Sequence, residues 1–497
     1  MIPRYAQAEI TEIWSDRNKL ELWQKSELAV IEAKVNLNQV TRDVFVKISE
    51  ILKGAPIDLE WWKKKDREIR HDLNAFIEER VRFLPLELRP YFHGDEELTS
   101  YDVEEPAFGQ MLKGSVIPVE REVSGIMNVL EGLARKYRYT IMMGRTHGQE
   151  AELQTFGKRC LTWYQDLGVD LFFLKMAKRS LKYSKISGAL GNYGSIDPKV
   201  EKEALKILGF QPFYGATQIM PRELYAPLAQ SLCQIVMTLE KIATDIRLGA
   251  RSPRPIYQEP FAKAQKGSSR MPHKKNSIST EQMEGMARME KGNSHTIMEN
   301  IRTWEERAIE QSSVERVVWP DLFHIVLHSL RTMTKVLRGL AVYPDNMLWE
   351  VIDSRGCYAS GEAKKFLAKK GVPFSLSSEE AYRIVQLAAF NVFEPSTGAR
   401  QLRGNPPTSL DQANELLLRF QVAPRPVPVS IKDIMLNGEL KPSSELEATE
   451  ANVQKWNEVL RQIFQDQGNT KEFHQIFSAP HLLRHEAKLY QEILGLE

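Results

Sequence analysis

The sequence predicts an all-α protein of three helical domains, with a central bundle of long helices. Three observations carry that expectation. From Leu224 the apolar series Leu224, Leu228, Leu232, Ile235, Leu239, Ile242, Ile246 advances by four and three, the seam of a long helix packed in a bundle. Leu322, Val326, Leu330, Met333, Leu337 and Leu340 repeat the pattern. Alternation of apolar and polar residues bounded by hairpin turns is hardly visible. The chain's 497 residues suit roughly three domains.

Taken in order, residues 1–110 form the expected N-terminal helical domain. It ends before a long helix expected from near Val116 to Tyr137, a segment with few breakers. The central bundle is placed at 111–360 and contains both apolar seams and the long segment Ile278 to Trp304; it ends near Asp353-Ser354-Arg355-Gly356. The C-terminal helical domain, 361–497, carries irregular linkers such as Gly404-Asn405-Pro406-Pro407 and Ala423-Pro424-Arg425-Pro426-Val427-Pro428. Helices this long bury more apolar surface than short flanking elements can cover. Side-by-side association of several bundles would hide it; a self-contained monomeric bundle is the alternative.

Bulk composition narrows the function. Lys and Arg total 67 against 65 Asp and Glu, a net +2, which argues against a nucleic-acid binder. An anionic ligand must then be caught by a local cluster of cations. The three cysteines, Cys160, Cys233 and Cys357, are far apart and in no metal-ligand spacing, which suits a reducing cytosol. The amino terminus lacks the apolar core of a signal peptide, and no apolar run approaches a membrane span. A soluble cytoplasmic protein is expected.

The most informative stretch is Gly267-Ser268-Ser269-Arg270-Met271-Pro272-His273-Lys274-Lys275-Asn276. Without a hydrophobic period it is neither core helix nor core strand, and its cations suit a lid over an anionic substrate. It resembles the signature loop of the fumarase/aspartase superfamily of lyases, Gly-Ser-Ser-x-Met-Pro-x-Lys-x-Asn. Met143-Gly144-Arg145-Thr146-His147-Gly148-Gln149 places an imidazole, suited to proton exchange near neutral pH, in a glycine-punctuated turn. Alone, such a histidine is more often structural than catalytic. In the cluster Thr303-Trp304-Glu305-Glu306-Arg307 and Glu310 to Arg316, Ser312 and Arg316 share a helix face if the segment is helical, so a hydroxyl and a guanidinium can share one anion. Arg307 joins them only if a turn intervenes or another subunit supplies the partner. The bland alternative for such a charge run is a solvated face.

Arg70-His71-Asp72 looks like the superfamily's Arg/Lys-His-Asp element and Thr99-Ser100-Tyr101-Asp102 like its Thr-Ser-x-Asp turn; Lys185 to Ala189 and Thr217 to Arg222 complete the set. Taken together these segments, in order from Arg4-Tyr5 to about Asn346, are similar to the adenylosuccinate lyase family. The final third matches less clearly.

That resemblance implies release of fumarate from adenylosuccinate and from the succinyl-carboxamide ribotide. It implies three helical domains in a homotetramer whose active sites draw on three chains, with no metal or other cofactor. Ser268 would be the general base, with Ser269 the alternative, and His147 the general acid supported by Glu281. Lys274 and Asn276 would hold the succinyl carboxylates, with Thr99, Ser100 and Thr146 as donors and Gln218 at the succinyl end. His71, between Arg70 and Asp72, would lie near the phosphate and help orient the acid. Arg4, Tyr5, Arg307, Ser312 and Arg316 would hold phosphate and ribose. A serine is a base only where cations favour its alkoxide, and each donor aimed at the developing dianion is worth about 2.7–4 kcal/mol. Ser277 and Glu150 stand where the family often has proline and histidine, and His93 receives no role. A sister lyase on another succinyl or amino-dicarboxylate substrate is the nearest alternative, and a non-catalytic protein on the same fold the next.

Overall fold

The computed structural model describes residues 1–93, 97–263, 265–268, 270–271, 273–400, 409, 411–412, 415, 429–443 and 446–495, with the backbone alone over 393–400. Ser269 and the proline-rich stretches 404–407 and 423–428 lie outside the described residues. Helices dominate, as expected. The chain divides into two compact units. One comprises Met1–Leu130, Trp163–Arg251 and Gln258–Ala341; the other comprises Glu131–Thr162, Ser252–Tyr257 and Val342–Glu497.

In the first unit, helices Ala226–Gly249, Ile278–Glu299 and Glu310–Arg338 pack against one another. The two apolar seams are their contact faces: Leu228, Leu232, Ile235, Leu239, Ile242 and Ile246 are fully buried, as are Leu322, Val326, Leu330, Met333 and Leu337. Each such side chain contributes roughly 1.5–3 kcal/mol on burial. Leu224 falls just outside, in the 3-10 turn Arg222–Leu224.

The long helix expected from near Val116 starts instead at Ser100 and runs to Lys136. Pro106 and Pro118 lie inside it. A proline inside a helix costs about 3 kcal/mol. Burial of Val103, Ala107, Leu112, Val116, Val119 and Val123 on this helix outweighs that cost. A separate apolar cluster, including Trp23, Trp62 and Phe76, joins the N-terminal helices to Val200, Leu205 and Phe210. On helix Phe156–Lys178, Val169, Phe172, Phe173 and Met176 are 44–58% exposed; their spacing puts them on one face.

The second unit contains the hairpin that the sequence pattern concealed: strands Ile141–Thr146 and Gln149–Thr155 pair antiparallel. Its helical core gathers Phe366, Trp456 and Phe473 among others. Among the described residues, no helix is long and apolar enough to cross a membrane.

Candidate functional site

The loop after Gln265 closes on itself. Asn276 Nδ2 donates to the Gly267 carbonyl at 2.7 Å, and the Lys274 N–H donates to the Met271 carbonyl at 3.0 Å. A Cβ on Gly267 would sit 1.9 Å from the Lys274 carbonyl oxygen, so only glycine permits this closure. Inside it, Ser268 Oγ accepts the backbone N–H groups of Arg270 at 3.3 Å and Met271 at 3.1 Å. Lys274 is exposed and Ser268 half-buried. Glu281, in the first turn of the next helix, pairs with Arg247 at 3.5 Å.

His147 occupies the apex of the hairpin. His147 and Gly148 have φ of 54° and 77°, with Thr146 and Gln149 paired on either side, the pattern of a two-residue type I′ turn. The imidazole is thus carried on paired backbone, and Thr146 is fixed beside it. Below the turn, Arg145 reaches Glu150 at 3.5 Å and Glu350 at 3.0 Å. At the far end of the second strand, Thr155 donates through both N–H and hydroxyl to Glu486, each at 3.1 Å, so the C-terminal segment anchors the hairpin. The signal for this element was the His-Gly pair itself, a two-residue turn flanked by short extended runs.

Two further groups form within the first unit. Arg70 ends helix Leu59–Ile69 in left-handed conformation, φ 55°. His71 then caps helix Asp72–Val81, its Nδ1 accepting the Asn74 N–H at 3.2 Å. Asp72 pairs with Arg316 at 3.1 Å, and Ser312 stands one turn before Arg316 on helix Glu310–Arg338. Arg307 precedes that helix, so the interruption left open by the sequence exists. Its guanidinium donates to Gln218 Oε1 at 3.0 Å and lies 4.4 Å from the Tyr101 ring centre; Gln218 donates to Thr99 Oγ1 at 3.3 Å.

Beneath Thr99 and Ser100 lies a buried ion pair that motif reading named only in fragments. Lys185 Nζ and Asp102 Oδ1 are 2.6 Å apart, both side chains fully buried. Asp102 also accepts the N–H groups of Thr99, Ser187 and Gly188, while Lys185 donates to the Gly188 and Gln218 carbonyls. The pair therefore holds the Thr99 turn and the Gln218 strap together.

A cavity of about 230 Å³ opens beside Ser312 and Arg316, with Asp72, Tyr101 and Glu104 also in its walls. Burial, reinforced by the charge of Asp72, pushes the Glu104 carboxyl up to about 8. The sequence motifs stop at Asp102 and do not single out Glu104. Tyr5 lies elsewhere in this unit, its hydroxyl accepting from Gln282 at 3.2 Å and its ring against His328, with Arg4 exposed next to it. No hydrogen bond or ion pair among the described residues ties the loop to the Asp72–Arg316 or Thr99–Gln218–Arg307 groups. His147 and Thr146 belong to the second unit. Among the described residues no three His, Cys, Asp or Glu side chains are grouped to hold a metal ion.

A family model described as a lyase matches residues 5–289. The adenylosuccinate lyase of Aquifex aeolicus is 38% identical over 394 residues, covering 79% of this chain and 89% of that protein. The adenylosuccinate lyase of Bacillus subtilis is 33% identical over 402 residues, covering 81% and 91%. Among solved structures, a fumarate lyase from Mesorhizobium superimposes with a TM-score of 0.72 at 18% identity, covering 96% of this chain and all of that one. A β-carboxy-cis,cis-muconate cycloisomerase from Acinetobacter calcoaceticus gives 0.69 at 19%, covering 92% and 98%; at such identities the likeness concerns the fold. The chain belongs to the adenylosuccinate lyase family within the fumarase/aspartase superfamily of lyases.

Proposed function

We propose that the protein is an adenylosuccinate lyase of purine nucleotide biosynthesis, releasing fumarate from adenylosuccinate to give AMP and from the succinyl-carboxamide ribotide to give the aminoimidazole carboxamide ribotide. The observation that carries this reading is the closed loop that presents Ser268 with two backbone N–H groups on its oxygen. Hydrogen bonds donated to an oxygen favour its anionic form, which is the form a serine base requires.

In the reaction, Ser268 removes the Cβ proton and the C–H electrons pass into the adjacent carboxylate as a dianionic aci-form. Lys274 and Asn276, with Thr99, Ser100 and Thr146, bind the succinyl carboxylates and stabilise that charge; Gln218 contacts the same end. The C–N bond then breaks, fumarate forms, and His147 gives its proton to the departing nitrogen. Glu281 supports His147, and His71 orients it from the phosphate side. Arg4, Tyr5, Arg70, Asp72, Arg307, Ser312 and Arg316 hold the nucleotide end. The chemistry assigned to these residues calls for no cofactor.

The working form is a homotetramer with each site completed by three chains. The exposed apolar face of Val169, Phe172, Phe173 and Met176 supports association, since a patch of this kind on a bundle helix marks an interface. Distribution of the candidate residues over unconnected groups fits sites completed by neighbours. Three free cysteines fit a cytoplasmic location. The three-domain division at 110 and 360 is retained as the family arrangement.

Fumarate release from adenylosuccinate, followed by absorbance, tests the proposal. Wild type should turn over, with Ser268→Ala and His147→Ala each slower by at least a hundredfold. A folded wild-type protein that releases no fumarate would overturn it.

A further inference from the structure

The cavity beside Arg316 contains a group that the mechanism leaves unused. Every other carboxylate facing it already has a partner. Asp72 is bound to Arg316, Glu105 and Glu315 both hold Arg222, and Asp16 lies 3.7 Å from Lys19. Glu104, half-buried in the cavity wall, makes no hydrogen bond or ion pair among the described residues, although Asp72 and Arg316 share that wall. A carboxyl left free in such a place is an unspent recognition group.

The walls indicate what it would recognise. Trp14, Trp23, Tyr101 and Phe108 line the space, and Trp14 meets Phe108 edge-on at 6.0 Å. At about 230 Å³ the cavity exceeds the roughly 150 Å³ that accommodates a benzene ring. Aromatic surfaces receive flat rings. The charges do not favour an anion in its depth: Arg222 is matched by two glutamates, and Lys19 and Arg316 each face an aspartate.

We propose that this cavity takes the flat nitrogen heterocycle of the nucleotide, and that Glu104 reads its edge with a neutral carboxyl, donating to a ring nitrogen and accepting from an adjacent N–H. The assignment rests on the nucleotide lyase reading above. A protonated carboxyl offers one donor and one acceptor side by side, as an amide does, and the amide pairing with adenine's amino group and ring nitrogen is the familiar precedent. Ser312 and Arg316 at the same cavity then meet the sugar-phosphate side.

The charge environment of Glu104 keeps that proton in place at neutral pH. Burial disfavours the carboxylate most, and Asp72 on the facing helix adds to it; Arg316, Arg307 and Lys19 oppose them without prevailing. Asp16 on the helix of Lys19, and Glu105, Tyr101, Arg222 and Glu315 on the remaining walls, complete the set of facing charged and titratable groups. With the carboxyl at about 8, the neutral fraction falls about tenfold between pH 7 and pH 9.

AMP binding to the full-length protein, measured by calorimetry at pH 7 and pH 9, tests the inference, with ribose 5-phosphate as the probe lacking a base. Wild type should lose about tenfold in AMP affinity over that interval and little in ribose 5-phosphate affinity. Glu104→Gln, which keeps donor and acceptor but cannot ionise, should bind AMP equally at both pH values. Glu104→Leu should weaken AMP at both while sparing ribose 5-phosphate. The same loss with pH in Glu104→Gln as in wild type would overturn the proposal, as would equal weakening of both probes in Glu104→Leu. Fumarate release by the wild type, run beside these titrations, separates the two readings. Turnover with a Glu104→Gln variant that retains the pH loss defeats only the cavity assignment; absent turnover defeats the lyase reading.

Discussion

Breaking the Lys185–Asp102 pair should damage stability and activity together. In Lys185→Met the Asp102 carboxylate stays buried and keeps three backbone N–H donors, but it loses the ammonium at 2.6 Å. Removing one partner of a buried pair costs about 3–5 kcal/mol; the remaining N–H bonds place Lys185→Met at about 3 kcal/mol, the low end of that range. Asp102→Leu strands the ammonium and also orphans the N–H groups of Thr99, Ser187 and Gly188. At about 1–3 kcal/mol per unsatisfied group, it should cost at least about 5 kcal/mol. The double variant removes the charge that either single variant strands, so its cost should fall short of the sum by about 2 kcal/mol or more. Urea unfolding followed by tryptophan fluorescence reads all three. Fumarate release should fall as well, because Thr99 hangs on Asp102 and the Gln218 carbonyl on Lys185. A Lys185→Met protein within 1 kcal/mol of wild type, or strict additivity in the double variant, would refute the reasoning.

Gly267→Ala should leave thermal stability nearly unchanged while lowering kcat about a hundredfold, because its Cβ cannot coexist with the Lys274 carbonyl and the loop must open; melting and turnover measured together check this. His93 should make stability depend on pH. Burial alone would lower its pKa, but the hydrogen bond and charge of Glu27 outweigh it, so the folded value lies above 6.5. Its contribution is complete below about pH 6.5 and is lost as pH rises through the folded value; His93→Gln should abolish that part of the slope in urea midpoints taken from pH 6 to 8. Phe172→Glu together with Phe173→Glu should shift the protein to smaller assemblies in light scattering, with fumarate release falling in step; an unchanged mass would remove this face from the interface.

The long helices were legible because burial on one face imposes a four-three spacing, and both seams proved to be contact faces. The hairpin was not, because its strands carry Arg145, Glu150 and Glu152 at half-exposed or exposed positions and Gly144 interrupts the register. The start of the long helix was placed near Val116 and lies at Ser100, because the turns around Pro106 are held by burial that local propensity does not report. The candidate site was legible as chemistry, in motifs that name Ser268, His147 and Lys274. Its supports were not. That Asp102 and Lys185 are fully buried partners, or that Glu104 lines a cavity, depends on which helices meet. Such meetings leave no local pattern. Arg307 lies between these cases: the sequence posed the question of a break before Ser312, and the start of the helix at Glu310 answered it.

The self-closure of the loop between Gly267 and Asn276 bears on how such a segment can be inherited. Its ends are fastened to each other, so the chain-ordering entropy of its shape is met within the segment, and each doubling of such a circuit would add only about 0.6 kcal/mol. What the rest of the protein must supply is an attachment point, at the start of helix Ile278–Glu299. Substitutions upstream of Gln265 or beyond Ser277 can therefore accumulate without redrawing the loop.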